Sequence, residues 1–343
     1  MRGQKARKPR RSQSATSSKM VFRTIAGLGF GSRAGAVPEP LRVRLGGASS
    51  LTWRGRAPHL SAMTRIALYQ ACTGIDPAAN ARHLVAAVEE AAAGGAAMLF
   101  TPEMSGLLDR DRARAARHLR GEGEDEVLAA VREAAARARI WVHLGSLAVR
   151  GEAGLDEEGG DRLRNRSFLI DECGDVRATY DKIHLFDVDL ASGESWRESA
   201  SYEPGSRAVV ADTPAGRLGL SICYDLRFPD LYRALTDAES QILAIPAAFT
   251  VPTGRAHWHV LIRARAIEAG VFVAAAAQSG RHEDGRETFG HSLVVGPWGE
   301  VLLDMGEGIG IGFAEVDLAA LDEVRGRLPA LSHRRPIPVP ERL

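Results

Sequence analysis

Cys223 closes an apolar run, Leu218-Gly219-Leu220-Ser221-Ile222-Cys223. The polar Tyr224-Asp225-Leu226-Arg227-Phe228-Pro229-Asp230 follows, and then Leu231-Tyr232-Arg233-Ala234-Leu235, which reads as helix. The pattern predicts a strand that stops at a thiol, a sharp turn, and a helix. Such a turn lifts a nucleophile out of a sheet and leaves backbone N–H groups facing a developing oxyanion. Two more reactive groups occupy similar settings upstream. Glu103 follows the apolar Ala96-Ala97-Met98-Leu99-Phe100 and Thr101-Pro102; the proline keeps the residue before it extended, so a strand leaves its sheet here. A carboxylate beside Met104 and before Gly106 is expected to be partly desolvated, with a raised pKa. It could then take a proton from a thiol and return it to a leaving amine. Lys182, within Tyr180-Asp181-Lys182-Ile183-His184-Leu185-Phe186, would favour a nearby thiolate and stabilise a negative tetrahedral intermediate.

Each of the three also has an ordinary structural role: a small core thiol, a solvated loop carboxylate, a strand lysine pointing to water. His184 competes with Glu103 as the base in a Cys–His arrangement, and residue chemistry alone does not choose between them. Together the groups read as an amide-cleaving site. The other two cysteines, Cys72 and Cys173, are expected to serve packing or a turn. Three cysteines without a CxxC pair speak against a disulfide framework or a zinc site and for a reducing compartment.

These groups need a scaffold of alternating strands and helices. Ile66–Gln70 reads as a strand. Asp76-Pro77 supplies an N-cap and first-turn proline to an Ala-rich helix ending at Gly94-Gly95. Ala97–Phe100 leads to Glu103, Val127–Arg139 reads as a helix, and Trp141–Ala148 as the next strand. Arg166–Ile170 and Val176–Tyr180 form a hairpin about Cys173-Gly174-Asp175. Past the nucleophile come strand Ile242–Ile245, helix Ala256–Ala269, strand Val271–Ala277, a pair His291–Val295 and Glu300–Asp304 across Pro297-Trp298-Gly299, strand Ile311–Val316 and helix Leu318–Arg327. This is an α/β chain with mixed sheets and no internal repeat.

Composition is that of a globular enzyme, with 45% hydrophobic and 25% charged residues. The net charge of +1 conceals an asymmetry: residues 1–63 hold 13 Lys and Arg against the single acid Glu39, leaving 31 basic and 42 acidic residues to the remainder. An acidic body argues against nucleic acid as a partner. Residues 1–62 lack a sustained apolar period, and the stretch Val21–Phe30 is interrupted by Arg23, Gly27 and Gly29, so no membrane span is expected. This basic segment is expected to be disordered and to have no catalytic role. It is either transit-like or an over-long start ahead of Met63. The expected location is cytoplasmic, or organellar if the segment is a genuine transit peptide. Cofactor signals are absent: no GxGxxG follows a strand, and there is no GxxxxGK[ST] or HExxH. His257 and His259 are two apart on a helix and do not share a face as metal ligands would.

Pro102-Glu103, then Tyr180 to Asp187, then Ile222 to Pro229 resemble, in order, the three signature segments of the nitrilase (carbon–nitrogen hydrolase) superfamily. Ala256-His257-Trp258 to Glu268, Gly290-His291-Ser292 and Pro297-Trp298-Gly299 resemble it too, so the likeness covers roughly Thr64 to Arg335. The resemblance implies a four-layer αββα sandwich that dimerises, with 63–335 as the hydrolase domain and 336–343 as a tail. It implies Cys223 as nucleophile, Glu103 as general base and then acid, and Lys182 with the Tyr224 N–H as oxyanion stabilisers. Glu198, rather than the nearby Glu194, would orient the lysine and substrate, and His184 becomes a structural neighbour. Within the superfamily, Asp181–Val188, Phe249–Gly254 and Ala276–His282 resemble most the branch that cleaves deaminated glutathione to 2-oxoglutarate and cysteinylglycine. The alternatives are ω-amidase action on 2-oxoglutaramate, or nitrile or N-carbamoyl hydrolysis on the same groups. An α-keto carboxylate needs a cation, which Arg227 could offer as a bidentate fork or could equally spend on a helix-start salt bridge. Phe249 and Thr253 would line the pocket by resemblance. The expected partners are a small amide substrate and a second copy of the chain, with no cofactor, metal, nucleic acid or membrane.

Overall fold

The computed structural model describes residues 63–155, 161–189, 193 and 195–342, all within one compact unit; the basic segment 1–62 and Glu194 lie outside the described residues. The first sheet is built from β1 (Met63–Gln70), β2 (Met98–Phe100), β3 (Trp141–Leu155), β4 (Asp161–Ile170), β5 (Val176–Asp181) and, from the far end of the chain, β16 (Gly310–Asp317). Its strand order is β16-β1-β2-β3-β4-β5. Polar hairpin β6 (Asp187–Asp189) and β7 (Ser195–Arg197) precedes the second sheet, which has the order β15-β14-β11-β10-β9-β8. That sheet comprises β8 (Val210–Thr213), β9 (Gly216–Leu220), β10 (Ile242–Ala244), β11 (Phe272–Ala275), β14 (Leu293–Val295) and β15 (Val301–Asp304), with hairpin β12 (Ser279–Arg281) and β13 (Glu287–Phe289) between β11 and β14.

Period-two alternation decides which face of the first sheet meets which layer. Ile66, Leu68, Met98 and Phe100 point into one core, shared with Leu218, Leu220, Ile242 and Val273 of the second sheet. Ala67, Leu99, Val142, Leu144 and Phe168 point into another, packed by Leu84 and Val88 of α1 (Pro77–Ala93) and Val127, Leu128 and Val131 of α3 (Glu126–Ala138). A four-residue helix, α2 (Arg112–Ala115), precedes α3. On the outer face of the second sheet, α4 (Pro229–Asp237) contributes Leu231, Tyr232 and Leu235, and α5 (Val251–Ala269) contributes Trp258 and Ile262; α6 (Ala319–Arg327) follows β16. The chain is a four-layer αββα sandwich, as the family resemblance implies. Strands buried on both faces explain why β2 and β10 read as unbroken apolar runs, and each fully buried Leu or Phe contributes about 1.5–3 kcal/mol.

Helix ends follow the sequence signals. Asp76 caps α1 by accepting from the Ala78 N–H, with Pro77 in the first turn, and Asp125 caps α3 by accepting from the Leu128 N–H. Helix α5 starts at Val251, five residues earlier than expected. Pro252 lies in its first turn, where a missing N–H costs nothing. Three strands run longer than expected by three residues or more: β1 begins at Met63 rather than Ile66, β3 runs to Leu155 rather than Ala148, and β4 begins at Asp161 rather than Arg166. Pairing with a neighbouring strand extends each of them, β1 with β16 and β3 with β4.

Topology puts the reactive segments at one end. Strand β2 runs parallel to β1 and β3, β5 is antiparallel to β4, and β4 is antiparallel to β3; β2 and β5 therefore point the same way, and Glu103 and Lys182 lie just past their carboxyl ends. Strands β9, β10 and β11 are mutually parallel, and Cys223 follows β9. The two sheets meet at this end through the parallel bridge Ala71 to Gln278, while the bridge Ala247 to Ala277 continues the pairing of β10 with β11.

Candidate active site

Cys223 is a non-glycine residue at φ +48°, in the left-handed region. It opens the 3-10 turn Cys223–Arg227. A side chain there costs about 1–2 kcal/mol of backbone strain, so something must hold the turn. Asp225 does. Its fully buried carboxylate accepts from the Ile222 N–H (2.9 Å) and the Tyr180 hydroxyl (2.7 Å) on Oδ2, and from the His184 N–H (3.0 Å) on Oδ1. His184 Nδ1 lies 2.7 Å from the same Oδ1, and its ring stacks on Phe228 at 3.6 Å between centroids. One carboxylate thus ties the end of β5 to the Cys223 turn. The Cys223 N–H donates to the Pro246 carbonyl and the Asp225 N–H to the Ile222 carbonyl. The Tyr224 N–H sits between them, in the first turn, where the turn itself supplies no acceptor.

Glu103 is 5% exposed, Lys182 2% and Cys223 9%. Lys182 Nζ donates to Glu103 Oε1 (2.8 Å) and to both oxygens of Glu198 (3.1 and 2.9 Å). Asn165 Nδ2 donates to Glu103 Oε1 (3.0 Å) and Glu198 Oε1 (3.1 Å), the Ala248 N–H to Glu103 Oε2 (3.0 Å), and the Phe186 N–H to Glu198 Oε2 (2.7 Å). The Cys223 thiol hydrogen-bonds to Glu103. Glu103, Lys182, Glu198 and Cys223, spread over 121 positions of sequence, are therefore one buried cluster.

The electrostatics correct one expectation. Burial does push the Glu103 carboxyl up, but the Lys182 charge and the hydrogen bonds from Cys223, Lys182 and Asn165 outweigh it and hold the carboxyl below its ordinary value. Lys182 loses by burial and gains more from Glu103 and Glu198, so its ammonium is held well above the usual lysine range. Burial, and then the Glu103 charge, push the Cys223 thiol well up. The resting pair is a neutral thiol facing an ionised carboxylate beside an ammonium, which suits proton transfer to Glu103 as sulfur attacks.

Glycine lets two of these segments approach their supports. A Cβ on Gly145 would lie 2.1 Å from the Thr101 carbonyl oxygen and 2.4 Å from that of Pro102. A Cβ on Gly205 would lie 2.1 Å from the Asp181 carbonyl oxygen. Gln278 is buried behind Glu103, donating to its carbonyl oxygen (2.9 Å) and to Thr73 Oγ1 (2.7 Å).

The cluster opens on a cavity of about 620 Å³ whose walls include Glu103, Lys182, Cys223, Tyr224, Arg227, Phe249 and Thr253. The Arg227 guanidinium lies across the faces of Phe249 (5.4 Å) and Tyr224 (5.9 Å), with both terminal nitrogens 3.3 Å from His257 Nδ1. It faces the cavity and makes no helix-start salt bridge among the described residues. Phe249 is 7% exposed and packs on Trp258, and the Thr253 hydroxyl is engaged with Thr250. Cys72 is exposed and does not pack in the core; its Sγ lies 3.4 Å from the Arg281 carbonyl oxygen. Cys173 is also exposed and sits in the expected turn, where its N–H donates to Asp171.

Sequence reasoning missed Asn165, Asp225 and the backing role of Gln278. A signal for the first was present: Arg162, Arg164 and Arg166 alternate with Leu163, Asn165 and Ser167, and the second set faces inward.

Comparison with known proteins agrees with this architecture. The chain is 38% identical over 274 residues to the deaminated glutathione amidase of Yersinia enterocolitica, covering 79% of this chain and 92% of that one. It is 41% identical over 272 residues to the deaminated glutathione amidase of Homo sapiens, covering 79% and 82%. Among solved structures, the NitFhit protein of Caenorhabditis elegans superposes with a TM-score of 0.71 at 37% identity, covering 80% of this chain, which spans 65% of that one. Residues 65–326 match the carbon-nitrogen hydrolase family, and the chain belongs to it.

Proposed function

We propose that this protein is an amidase that hydrolyses deaminated glutathione to 2-oxoglutarate and cysteinylglycine through a thioester on Cys223. The observation that carries the chemistry is the buried Lys182–Glu103–Glu198–Asn165 network at a strained cysteine turn. The substrate class is supported by the relatives named above and by a cavity of about 620 Å³, with Arg227 in its wall for an α-keto carboxylate. That volume leaves room beyond a five-carbon amide such as 2-oxoglutaramate.

Glu103 accepts the Cys223 proton as sulfur attacks the amide carbon, and the carbonyl electrons move onto oxygen. An ammonium has three N–H donors; on Lys182 one serves Glu103 and one is shared by the two Glu198 oxygens, and the third, with the Tyr224 N–H, receives the oxyanion. Collapse expels the amine, which takes the proton from Glu103 and leaves a thioester. Water then gives a proton to Glu103 while attacking the thioester, and the departing sulfur recovers it. Glu198 and Asn165 hold the lysine and Glu103 in register.

No described helix is long and apolar enough to cross a membrane. For the expected homodimer, Val260 and Ile267 lie seven residues apart on α5 and are exposed, as is Trp298 in the neighbouring turn; these apolar side chains suit a self-association surface, and light scattering on the purified protein should report twice the chain mass. A cytoplasmic location accords with exposed free cysteines. The test of the reaction is 2-oxoglutarate release from deaminated glutathione, with 2-oxoglutaramate as comparator. Cys223→Ala should abolish turnover and keep the fold; residual turnover in that variant would refute the thioester route.

A further inference from the structure

The same cavity has a second cationic region that the proposed mechanism does not use. Arg110, Trp196 and Arg286 line it and come from three separate segments: the chain after Glu103, strand β7, and the loop between β12 and β13. The two guanidinium groups lie 5.4 and 5.1 Å from the Trp196 ring centroid. Asp284, whose side chain is fully buried, fixes both: its Oδ2 accepts from Arg286 Nε (2.7 Å) and from the Arg110 backbone N–H (2.9 Å), and Arg110 Nε is 3.8 Å away. One carboxylate thus serves two cations. The terminal nitrogens of both arginines have no acceptor among the described residues. Of the acids in this part of the wall, Asp109 is engaged bidentately by Arg114, and Glu287 is exposed.

A row of aromatic rings separates this region from Arg227. Tyr224 lies beneath Arg227 at 5.9 Å, Phe186 meets Tyr224 edge-on at 5.0 Å, and Trp196 follows at 6.4 Å. Arg227 thus stands beside the nucleophile turn and Arg110 and Arg286 beyond three rings; the other arginines of the wall are engaged, Arg112 with the Arg197 carbonyl, Arg150 with the Leu119 carbonyl and Arg197 with the Asp189 carboxylate. Deaminated glutathione has the matching charge pattern: an α-keto carboxylate on the acyl side of the scissile amide, and a glycine carboxylate two residues past the scissile nitrogen, about 7 Å in extended chain.

We propose that Arg110 and Arg286, held by Asp284 and stacked on Trp196, bind the carboxylate at the leaving-group end of the substrate. This subsite selects acyl amides whose amine portion ends in a carboxylate over short primary amides. It rests on the substrate reading above. Planar guanidinium groups with free terminal nitrogens match a carboxylate bidentately, and a ring beneath them limits the rotamers lost on binding.

The experiment measures 2-oxoglutarate release from deaminated glutathione and from its C-terminal primary amide, in the wild type, Arg110→Gln and Arg286→Lys. Wild type should favour the free acid in kcat/KM by about tenfold or more, the factor expected for a charge-assisted hydrogen bond. Arg110→Gln should erase that preference through KM with kcat retained, and Arg286→Lys should reduce it. The Arg110 side chain is half exposed, so folding is not at stake in its variant; a thermal melt checks this. A wild type indifferent to the terminal charge, or a preference that survives both substitutions, would overturn the subsite. Failure of the wild type to cleave either compound would overturn the substrate reading and the subsite with it, and is read from the wild type alone.

Discussion

Asp225→Asn keeps the shape of the side chain and removes its charge, so it isolates what that carboxylate does for the nucleophile turn. Four donors converge on its two oxygens: the Ile222 N–H and Tyr180 hydroxyl on one, and the His184 N–H and ring nitrogen on the other. An amide offers one oxygen. Whichever way it turns, its NH2 meets a backbone N–H that cannot rotate away, either Ile222 or His184. Leaving one buried donor unpaired costs about 1–3 kcal/mol, and the remaining bonds fall from charge-assisted to neutral strength at about 1 kcal/mol each. The neutral amide recovers part of this by avoiding the desolvation of a carboxylate, so a net loss of about 3 kcal/mol is expected. That is a substantial share of the roughly 5–15 kcal/mol stability of a domain. Urea titration measures it, with Glu315→Gln as control: Glu315 pairs with Arg65 at the surface, side chains 38% and 49% exposed, and its loss should cost under about 1 kcal/mol. The same substitution frees Cys223 to relax from φ +48°, so kcat should fall about a hundredfold with a smaller change in KM. Stability within about 0.5 kcal/mol of wild type together with an unchanged kcat would refute the idea that Asp225 holds the turn.

Three further outcomes are expected. Lys182→Met leaves Glu103 and Glu198 buried without a counter-charge and should cost about 3–5 kcal/mol at pH 7. The Glu103 pKa then moves from below its unfolded value to above it, so the gap to wild type should narrow as pH falls toward 5; a gap that widens would contradict the pairing. Gly145→Ala places a methyl 2.1 Å from the Thr101 carbonyl oxygen, so the Glu103 segment must shift, and both the melting temperature and kcat should drop. An alanine variant with wild-type kcat would show that this close approach is not needed. His143 is fully buried, with Nε2 2.8 Å from Ser167 Oγ, and burial lowers its pKa from 6.5 to about 3. Between those values the unfolded chain binds a proton that the folded protein does not, so stability falls with pH by about 1.4 kcal/mol per unit. His143→Gln should flatten that acid limb in a denaturation series, and an unchanged slope would remove His143 as its source.

What the sequence made legible follows from the range of the interactions involved. Strand ends were readable where local chemistry sets them: Pro102 terminates the strand before Glu103, the apolar run to Ile222 reads as a buried strand, and Asp76-Pro77 starts a helix. These signals depend on neighbours within a turn or two. The polar hairpins β6–β7 and β12–β13 gave no such signal, because their three-residue strands carry Asp, Ser, Arg and Glu and are set by tertiary pairing. The sign of the Glu103 shift was misjudged for a related reason. Desolvation could be inferred from Met104 and Gly106 next to it, whereas the opposing charge comes from Lys182, 79 positions away, and only the fold brings it within 2.8 Å.

Asn165 marks the boundary between the two cases. Its inward orientation is written in the alternation with Arg162, Arg164 and Arg166, so the sequence predicts a buried amide. What it touches is not written there: Glu103 reaches it from β2 and Glu198 from beyond β7. A buried polar side chain on the face of a strand must find partners or destabilise the fold. Its presence was therefore a legible demand for a polar cluster at this end of the sheet, even though the members of that cluster could be identified only once the two sheets were stacked with the carboxyl ends of β2, β5 and β9 together.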